Sequence, residues 1–315
     1  MKVFNHINEF PADQPTIVTI GTFDGVHIGH RKILNRLISS AKKNQYQSLL
    51  LTFFPHPRMV LQQSNDLKLI NTMHEKELIL KQTGLDNLVV HPFSKSFSRL
   101  TAYEYVKDIL VDQFNVKEVI IGYDHRFGRN RTADINDLKK YGEQFGFKVD
   151  EITKQEINDV AISSTKIRKA LLSGEIKKAN GFLQDPFFMS GTIVKGYGRG
   201  KDFGFPTANL SIDQDYKLIP KNGVYLSYAY INDVKYFGLT NIGTNPTVNG
   251  DNQKTIETYF MDFEGNLYDE NLNISLLHRI RDEKKFESID KLKDAMHNDK
   301  QQALNFIKSN GLSNK

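Results

Sequence analysis

Two histidines stand close together beside three glycines, in a stretch that joins a predicted strand to a predicted helix. His27 and His30 follow the apolar run of residues 16–20, and the apolar residues after them recur at helical spacing. Positions i and i+3 share one face of a helix, so the two imidazoles point to the same side. Free N–H groups and the positive end of the helix dipole lie at the same terminus. This arrangement favours a bound polyphosphate.

The glycines Gly21, Gly25 and Gly29 let a ligand approach the backbone, because they carry no side chain. A zinc site is the alternative interpretation of the two histidines. The chain has no cysteine, and the stretch offers no third ligand at metal spacing. A metal alone is therefore disfavoured.

A run of hydroxyl side chains opens another predicted helix near the middle of the chain. Ser163, Ser164 and Thr165 precede Arg168 by about one helical turn. Such hydroxyls are good helix N-caps, which is a purely structural interpretation. An arginine at a helix N-terminus also suits an anion, because its fork contacts two phosphate oxygens at once. The run is therefore a second candidate phosphate site.

The first stretch resembles the signature of the HIGH-type nucleotidylyltransferases, in which Gly-Thr-Phe-Asp-x-x-His-x-Gly-His binds the phosphates of a nucleoside triphosphate. Residues 162–168 resemble their second signature, Ile-Ser-Ser-Thr-x-x-Arg. The resemblance implies that His27 and His30 stabilise the negative charge on the α-phosphate and the leaving pyrophosphate. It assigns ATP binding to Gly21, Thr22, Phe23, Asp24, Gly29, His30, Ser163, Ser164, Thr165 and Arg168.

Strands and helices alternate along the first half, which predicts a doubly wound parallel sheet. The predicted strands are residues 16–20, 48–54, 88–90, 119–121 and 147–152. Right-handed crossovers place the ends of successive strands along one rim. His27, His30, His56 and Asp124 all follow strand ends, so we expect a ligand at this rim.

The second half consists of short runs in which apolar and polar residues alternate, joined by polar turns. This pattern predicts an antiparallel β-barrel. The expected hairpins join residues 223–231 to 234–240, and residues 254–263 to 272–277. A final helix is expected to close one end of the barrel through the stripe Ile289, Leu292, Ala295 and Met296.

A glycine-rich segment with two basic residues lies in this half: Gly198, Arg199, Gly200 and Lys201. Its glycine spacing is similar to that of a dinucleotide-binding loop, but Pro206 follows where a helix should open, so we reject that interpretation. Backbone N–H groups and basic side chains still suit a phosphate. Thr207 and Asn209 then offer oxygen ligands for Mg²⁺, which takes few protein ligands.

The sequence Pro206-Thr207-Ala208-Asn209 resembles the signature of riboflavin kinases, and the resemblance continues through residues 223–225, 241–247 and 257–259. Together the two halves resemble the bacterial bifunctional riboflavin kinase/FMN adenylyltransferase family, over essentially the full chain. The resemblance implies that the C-terminal barrel phosphorylates riboflavin with MgATP. It also implies that the N-terminal domain adenylates FMN to FAD with a second ATP.

This resemblance implies further site residues. Glu257 would accept the proton of the ribityl hydroxyl that attacks the γ-phosphate, and Thr207 and Asn209 would bind Mg²⁺. ATP in the kinase domain would contact Gly198, Arg199, Gly200, Lys201, Pro206, Thr207 and Asn209. Flavin in that domain would contact Arg281 and Phe286. The flavin and adenine side of the other domain would be lined by Pro55, His56, Pro57 and Asp124.

Three residues depart from the usual pattern of the family: Phe54, His125 and Ala133. None of them belongs to the phosphate motifs, so we expect the reaction to be retained. We expect any effect in flavin affinity or in the loop after Asp124.

The length of 315 residues fits two domains, which we place at residues 1–183 and 184–315. No apolar run approaches the roughly 18 residues that a membrane span needs. The first residues lack the apolar core of a signal peptide, and the chain has no cysteine, so we expect it in the cytoplasm. The sequence leaves a homo-oligomer open.

Two other functions remain to be tested. One is a single-activity nucleotidylyltransferase with a different acceptor, although such an enzyme has no use for the second domain. The other is a nucleic-acid-binding protein, which the net charge of +5 allows. That function needs clustered basic residues with exposed aromatics. The charge is instead spread along the chain, so we expect no nucleic-acid partner.

Overall fold

Two compact units make up the chain, Met1–Ser164 and Thr165–Lys315. The computed structural model describes residues 1–61, 66–153, 156, 162–196, 204–246 and 252–313. By their contacts within the chain, residues 165–183 belong to the second unit. The sequence puts a boundary after residue 183 instead, and that boundary stays a prediction.

The first unit contains one sheet of six parallel strands. They are β1 (Lys2–Phe4), β2 (Thr16–Ile20), β3 (Gln47–Phe53), β4 (Asn87–His91), β5 (Val116–Gly122) and β6 (Lys148–Ile152). Their order is β1-β4-β3-β2-β5-β6. After β4 the chain crosses to the other side of β2, so the winding reverses between β2 and β5. Open α/β sheets bind ligands at the carboxyl ends of the strands beside such a reversal.

Helices pack on both faces of this sheet. They are α1 (Ile28–Asn44), α2 (Pro57–Leu61), α3 (Met73–Lys81), α4 (Ala102–Glu104), which continues as π-helical turns (Tyr105–Gln113), and α5 (Ile135–Phe145). Neighbouring residues of β2 enter different cores. Ile17 packs with Leu34 and Leu37 of α1, whereas Val18 packs with Ile109 on the other face. The predicted doubly wound fold is confirmed.

The sequence analysis missed β1. This strand pairs with β4 at the edge of the sheet, with Lys2 beside Asn87 and Phe4 beside Val89. Three residues show too little alternation to be told from a loop.

The second unit contains a closed barrel of six antiparallel strands, as predicted. They are β7 (Phe188–Val194), β8 (Ala208–Ser211), β9 (Gly223–Ile231), β10 (Val234–Pro246), β11 (Asn252–Phe260) and β12 (Asn271–Arg281). The barrel order is β10-β11-β8-β7-β12-β9, and β9 pairs again with β10. Three helices complete the described part of this half: α6 (Ser164–Ser173), α7 (Ile176–Leu183) and α8 (Ile289–Ser309).

One predicted hairpin is confirmed and the other is wrong. Asn232 and Asp233 have positive φ angles and join β9 to β10 as a two-residue turn. The predicted pairing of residues 254–263 with 272–277 does not occur, because β11 pairs with β10 and β8, and β12 with β7 and β9. The short strand β8, which the sequence analysis did not identify, takes the place beside β11.

The two faces of the barrel wall differ in chemistry. Ser227, Thr240 and Thr258 are fully buried, and their hydroxyl oxygens are 2.7 and 2.8 Å apart in a chain across three strands. On the opposite face, Leu239 packs with Ala303 of α8. Because side chains alternate along a strand, Glu257 points away from the hydroxyl chain, towards the face that α8 covers.

Of the predicted stripe of the last helix, Leu292, Ala295 and Met296 are half-buried, whereas Ile289 is not. Ile289 is the first residue of α8 and is 57% exposed. Farther along the helix, Ala303, Phe306 and Ile307 pack in the apolar cluster of the barrel, and Asp299 binds Arg281 of β12. Within the described residues, no helix is both long enough and apolar enough to cross a membrane.

Asn180 joins α7 to the barrel. Its Nδ2 donates to the carbonyl of Leu276 in β12 at 2.8 Å, and its Oδ1 accepts the N–H of Phe187 at 2.8 Å. Leu276 and Phe187 are both buried. The side chain therefore satisfies two peptide groups that water does not reach.

We predict that Asn180→Ala destabilises the barrel locally, because each buried peptide group left without a partner costs roughly 1–3 kcal/mol. Hydrogen–deuterium exchange of the full chain, read by mass spectrometry, should show faster exchange in peptides of β7 and β12. Lys178→Ala is the matched control, since Lys178 pairs with the exposed Glu175 on the same helix. Identical exchange in the two variants would contradict the prediction.

Candidate active sites

The glycine loop, residues 21–27, leads from the end of β2 into α1 at the carboxyl edge of the sheet. Phe23, Gly25 and Val26 have φ angles of 46°, 89° and 39°. Such angles are unfavourable for the two non-glycine residues, so the surroundings must hold the loop in this shape. The N–H of Gly21 donates to the carbonyl of Leu51 at 3.0 Å, and the N–H of Val26 donates to that of Phe23 at 3.2 Å.

His27 and His30 stack on each other at the start of α1. Their ring centroids are 3.7 Å apart, and Phe23 stacks on His30 at 4.6 Å. His27 is 6% exposed. The Nδ1 atoms of both histidines are buried and have no hydrogen-bond partner in the part of the chain that the structure describes. Buried polar atoms of this kind are uncommon, which makes the pair a candidate ligand contact.

Burial lowers the pKa of both imidazoles. The pKa of His27 falls from 6.5 to about 4, against a backbone hydrogen bond that raises it. Burial also lowers the pKa of His30 well below 6.5, and His27 and Lys76 lower it further. Both rings are therefore neutral near pH 7, and each has one N–H to donate.

Asp24 holds the glycine loop from within. Its Oδ1 accepts the N–H groups of Ile70 at 2.9 Å and Asn71 at 3.4 Å, and the residue is 2% exposed. Its backbone carbonyl accepts the hydroxyl of Ser164 at 2.8 Å. The start of the second motif therefore contacts the first motif.

The other residues of the second motif lie on either side of this contact. Ser163 precedes α6 and is exposed, whereas Thr165 and Arg168 lie in α6 and in the second unit. Gly29 lies in the first turn of α1 and is buried. The contacts of these residues with ATP stay predictions.

Two strands that flank β2, namely β3 and β5, carry the predicted flavin-side residues to the same edge. Pro55, His56 and Pro57 follow β3, with a cis peptide before Pro55, and Pro57 begins α2. His56 is 9% exposed, and its Nδ1 accepts the N–H of Arg58 at 3.1 Å. Asp124 is exposed just after the end of β5.

Aromatic rings surround this edge, and with them lies His91, which the sequence analysis missed. His91 is the last residue of β4, is 6% exposed, and has a buried Nδ1 without a partner among the described residues. Its ring centroid is 4.7 Å from that of Phe97, which lies 5.4 Å from Phe53. Burial lowers the pKa of His91 to about 4, and His6 lowers it further. A polar residue directly after a buried strand was the signal that could have identified it.

The loop after Asp124 accommodates two of the residues that depart from the family pattern. Phe127 and Ala133 exchange backbone hydrogen bonds of 3.1 and 3.2 Å, and His125 stacks on Phe127. Ala133 does not have a positive φ angle, so the backbone does not require glycine there. Burial lowers the pKa of His125 to about 4, although Asp124 raises it.

A second residue that the sequence analysis missed is Lys76 of α3. It is 3% exposed, and its Nζ donates to the carbonyl of Thr22 in the glycine loop at 2.7 Å. Burial lowers its pKa to about 8, against the attraction of Asp24. The available signal was its spacing from the buried Leu80, because positions i and i+4 share one face of a helix.

In the barrel, three predicted residues converge on neighbouring strands. Glu257 of β11 lies opposite Asn209 of β8, and the hydroxyl of Thr207 donates to Oε2 of Glu257 at 3.5 Å. A Cβ on Gly196 would lie 2.2 Å from the amide nitrogen of Asn209, so only glycine permits this approach. Pro206 is exposed beside them. The structure therefore supplies hydroxyl, amide and carboxylate oxygens at one place.

The structure describes only one of the two remaining groups of predicted residues in the barrel. Gly198, Arg199, Gly200 and Lys201 lie outside the described residues. Arg281 lies with its Cζ 5.5 Å from the ring centroid of Phe286, so the predicted flavin pair does come together. The guanidinium is also bound to both oxygens of the buried Asp299 in α8, at 2.8–3.0 Å.

The hydroxyl, amide and carboxylate oxygens of Thr207, Asn209 and Glu257 fit a magnesium ion. Among the described residues, no group of three or more His, Asp or Glu residues could hold a metal. Mg²⁺ does not need one, because it retains waters and substrate phosphates and takes one or two protein ligands. Thr207 and Asn209, held close to Glu257, have the donor chemistry that it prefers.

Comparisons with known proteins agree on both halves of the chain. The FAD synthetase family model matches residues 9–166, and the riboflavin kinase family model matches residues 183–307. A bifunctional riboflavin kinase/FMN adenylyltransferase from Buchnera aphidicola subsp. Schizaphis graminum is 38% identical over 95% of this chain and 96% of its own. One from Listeria monocytogenes is 34% identical over 94% of each chain.

A solved structure extends the likeness to the whole fold. The crystal structure named Macrolide-efflux Protein from Streptococcus pneumoniae has a TM-score of 0.87 and 31% identity, and the match covers 96% of this chain and 98% of that one. Its name describes that protein alone. A nucleotidylyltransferase of single activity would lack the riboflavin kinase half, which here is matched by family and by relatives. The chain therefore belongs to the bifunctional riboflavin kinase/FMN adenylyltransferases, which phosphorylate riboflavin to FMN and adenylate FMN to FAD.

Proposed function

We propose that the glycine loop of the first unit is the site of adenylyl transfer and that the strands around Glu257 are the site of riboflavin phosphorylation. The stacked His27–His30 pair carries the first assignment. Its rings are neutral, and its Nδ1 atoms have no hydrogen-bond partner among the described residues, which suits a ligand that is rich in hydrogen-bond acceptors.

In adenylyl transfer, a phosphate oxygen of FMN forms a bond to the α-phosphorus of ATP, and the bond from that phosphorus to the pyrophosphate oxygen breaks. Negative charge builds on the α-phosphate and on the leaving pyrophosphate. His27 and His30 donate N–H groups to these oxygens from a fixed, water-poor position, which is electrostatic preorganisation. Asp24 holds the loop. The phosphate site is completed by Gly21, Thr22, Phe23, Gly29, Ser163, Ser164, Thr165 and Arg168.

The flavin of FMN occupies the neighbouring part of the same edge. Pro55, His56, Pro57 and Asp124 line this side, and the planar aromatic rings of Phe53 and Phe97 offer surfaces on which an isoalloxazine can stack.

In riboflavin phosphorylation, the terminal ribityl oxygen forms a bond to the γ-phosphorus of ATP, and ADP leaves. Glu257 accepts the hydroxyl proton. Thr207 and Asn209 bind Mg²⁺, which supplies charge neutralisation at the phosphates. The ATP contacts Gly198, Arg199, Gly200, Lys201 and Pro206. The flavin contacts Arg281 and Phe286.

Other features of the molecule stay predictions of the sequence. These are a cytoplasmic location, the absence of a nucleic-acid partner, and the state of association of the chain.

We predict that the two activities can be abolished separately. His27→Ala should lower the kcat of FAD formation by about 10²–10³-fold, as the loss of one preorganised donor does, and should leave FMN formation within twofold. Glu257→Gln, which keeps the shape but cannot take up the proton, should do the reverse. Chromatography of the flavins made from riboflavin or from FMN with MgATP measures both rates. Equal loss of both activities in a folded His27→Ala protein would refute the two-site assignment.

The buried histidines predict a pH dependence of stability. Because the folded pKa of His91 is about 4, below its ordinary 6.5, the stabilisation is complete above pH 6.5 and is lost as the pH falls towards 4. Between pH 6.5 and pH 5 the loss is at most about 2 kcal/mol for one histidine. His91→Phe should flatten this decline in the first unit, as measured by hydrogen exchange at both pH values. A decline as steep as that of the wild type would show that His91 does not contribute.

The magnesium assignment predicts a change confined to one activity. Asn209→Ala should raise the Mg²⁺ concentration needed for half-maximal FMN formation by about tenfold, the effect of roughly 1.4 kcal/mol of lost binding. FAD formation by the same protein is the internal control and should keep its Mg²⁺ requirement. An unchanged requirement for FMN formation would remove Asn209 from the metal site.

A further inference from the structure

Lys76 is a buried charge that the reaction described above does not use. The residue lies in α3, is 3% exposed, and its ammonium donates to the carbonyl of Thr22 at 2.7 Å. A second donor, the hydroxyl of Thr52 in β3, reaches the same carbonyl at 3.3 Å. This carbonyl of the glycine loop is therefore held from two elements at once.

The segment around Lys76 is tied to the glycine loop a second time. Asp24 of the loop accepts the N–H groups of Ile70 and Asn71, directly before the N-cap of α3. The loop and the start of α3 thus hold each other through one carboxylate and one ammonium. A displacement of Lys76 would leave the Thr22 carbonyl with only the longer hydrogen bond from Thr52.

The charged and titratable groups around this ammonium come from three elements. Asp24 of the loop attracts it, and His30 of α1, stacked on His27, is close enough for Lys76 to lower its pKa. On α3 itself, the buried Glu75 accepts the N–H of Thr72 within the helix cap.

We propose that Lys76 is a positioning residue for adenylyl transfer, whose ammonium fixes the Thr22 carbonyl of the glycine loop and places a positive charge behind the His27–His30 pair. The inference rests on the proposed assignment of adenylyl transfer to this loop. Lys76 does not touch the substrate in this account; it acts through Thr22 and His30.

The chemistry explains why a charged residue occupies this position. Burying an ammonium is unfavourable, and a neutral donor would bind the carbonyl of Thr22 without that cost. The positive charge also stabilises the negative charge that develops on the phosphates, because a buried charge is screened little by water. Together with burial and His27, it also lowers the pKa of His30, so that the neutral imidazole donates its one N–H to phosphate without carrying a second proton.

The first test compares three variants of the full chain. Lys76→Met should lower the kcat of FAD formation by about 100-fold, the size of effect that misplaced reacting groups produce, and riboflavin phosphorylation should stay within twofold. Lys76→Arg keeps the charge and should recover at least tenfold of the loss. Lys81→Met, on the exposed part of the same helix, should match the wild type. Lys76→Met within threefold of the wild type, or Lys76→Arg as slow as Lys76→Met, would overturn the proposal.

The second test is a pH profile, which a purely structural role would not move. Because burial lowers the pKa of Lys76 to about 8, the rate of FAD formation should fall above pH 8 in the wild type. An arginine stays protonated, so Lys76→Arg should hold its rate to a pH at least one unit higher. Riboflavin phosphorylation, measured at the same pH values, serves as the control. Coincident profiles for the wild type and Lys76→Arg would overturn the proposal even if Lys76→Met failed to fold.

His27→Ala in the same assay separates this inference from the function on which it rests. If His27→Ala retains FAD formation, the site assignment fails, and the inference about Lys76 fails with it. If His27→Ala loses FAD formation but Lys76→Met keeps it, only the role of Lys76 is wrong.

Discussion

The carboxylate of Asp24 provides the interaction on which the shape of the glycine loop depends. Phe23 and Val26 of the glycine loop adopt φ angles that are unfavourable for residues with a side chain, and Asp24, between them, ties the loop to the backbone of Ile70 and Asn71. The same residue offers its carbonyl to Ser164. One acidic residue therefore holds the glycine loop and contacts the first residue of α6, although it is only 2% exposed and has little surface to offer a ligand. Its place in the signature is explained by loop geometry.

Much of the fold could be predicted from the sequence. The glycine loop, the alternation of strands and helices, and the hairpin turn at Asn232 are local patterns, and local patterns survive folding when tertiary contacts agree with them. The barrel order could not be predicted. β8 has four residues and follows a proline, so no periodicity marks it as the partner of β11. Pairing between strands distant in sequence is decided by the closed barrel.

The site residues show the same difference between local patterns and contacts that join distant segments. His27 and His30 were identified because they share one short stretch, whereas Lys76 reaches the loop from a helix some fifty residues away. A lysine after a helix cap suggests a solvated side chain, and only the packing of α3 shows that it is buried. His91 was missed for a local reason, because its strand was predicted to end one residue too early.

The two units differ in chemistry because their nucleophiles differ. A ribityl hydroxyl holds its proton near pH 7, so its attack on ATP requires a base, and the barrel provides a carboxylate on a strand face beside oxygen ligands. The phosphate of FMN is already ionised and needs no base; what it needs is a means of approaching another polyanion. Neutral imidazoles that donate hydrogen bonds, with a positive charge behind them, meet that need without adding a group that must lose a proton. The phosphate added in the second unit thus becomes the nucleophile in the first, and each site is built for the ionisation state of the oxygen that it activates.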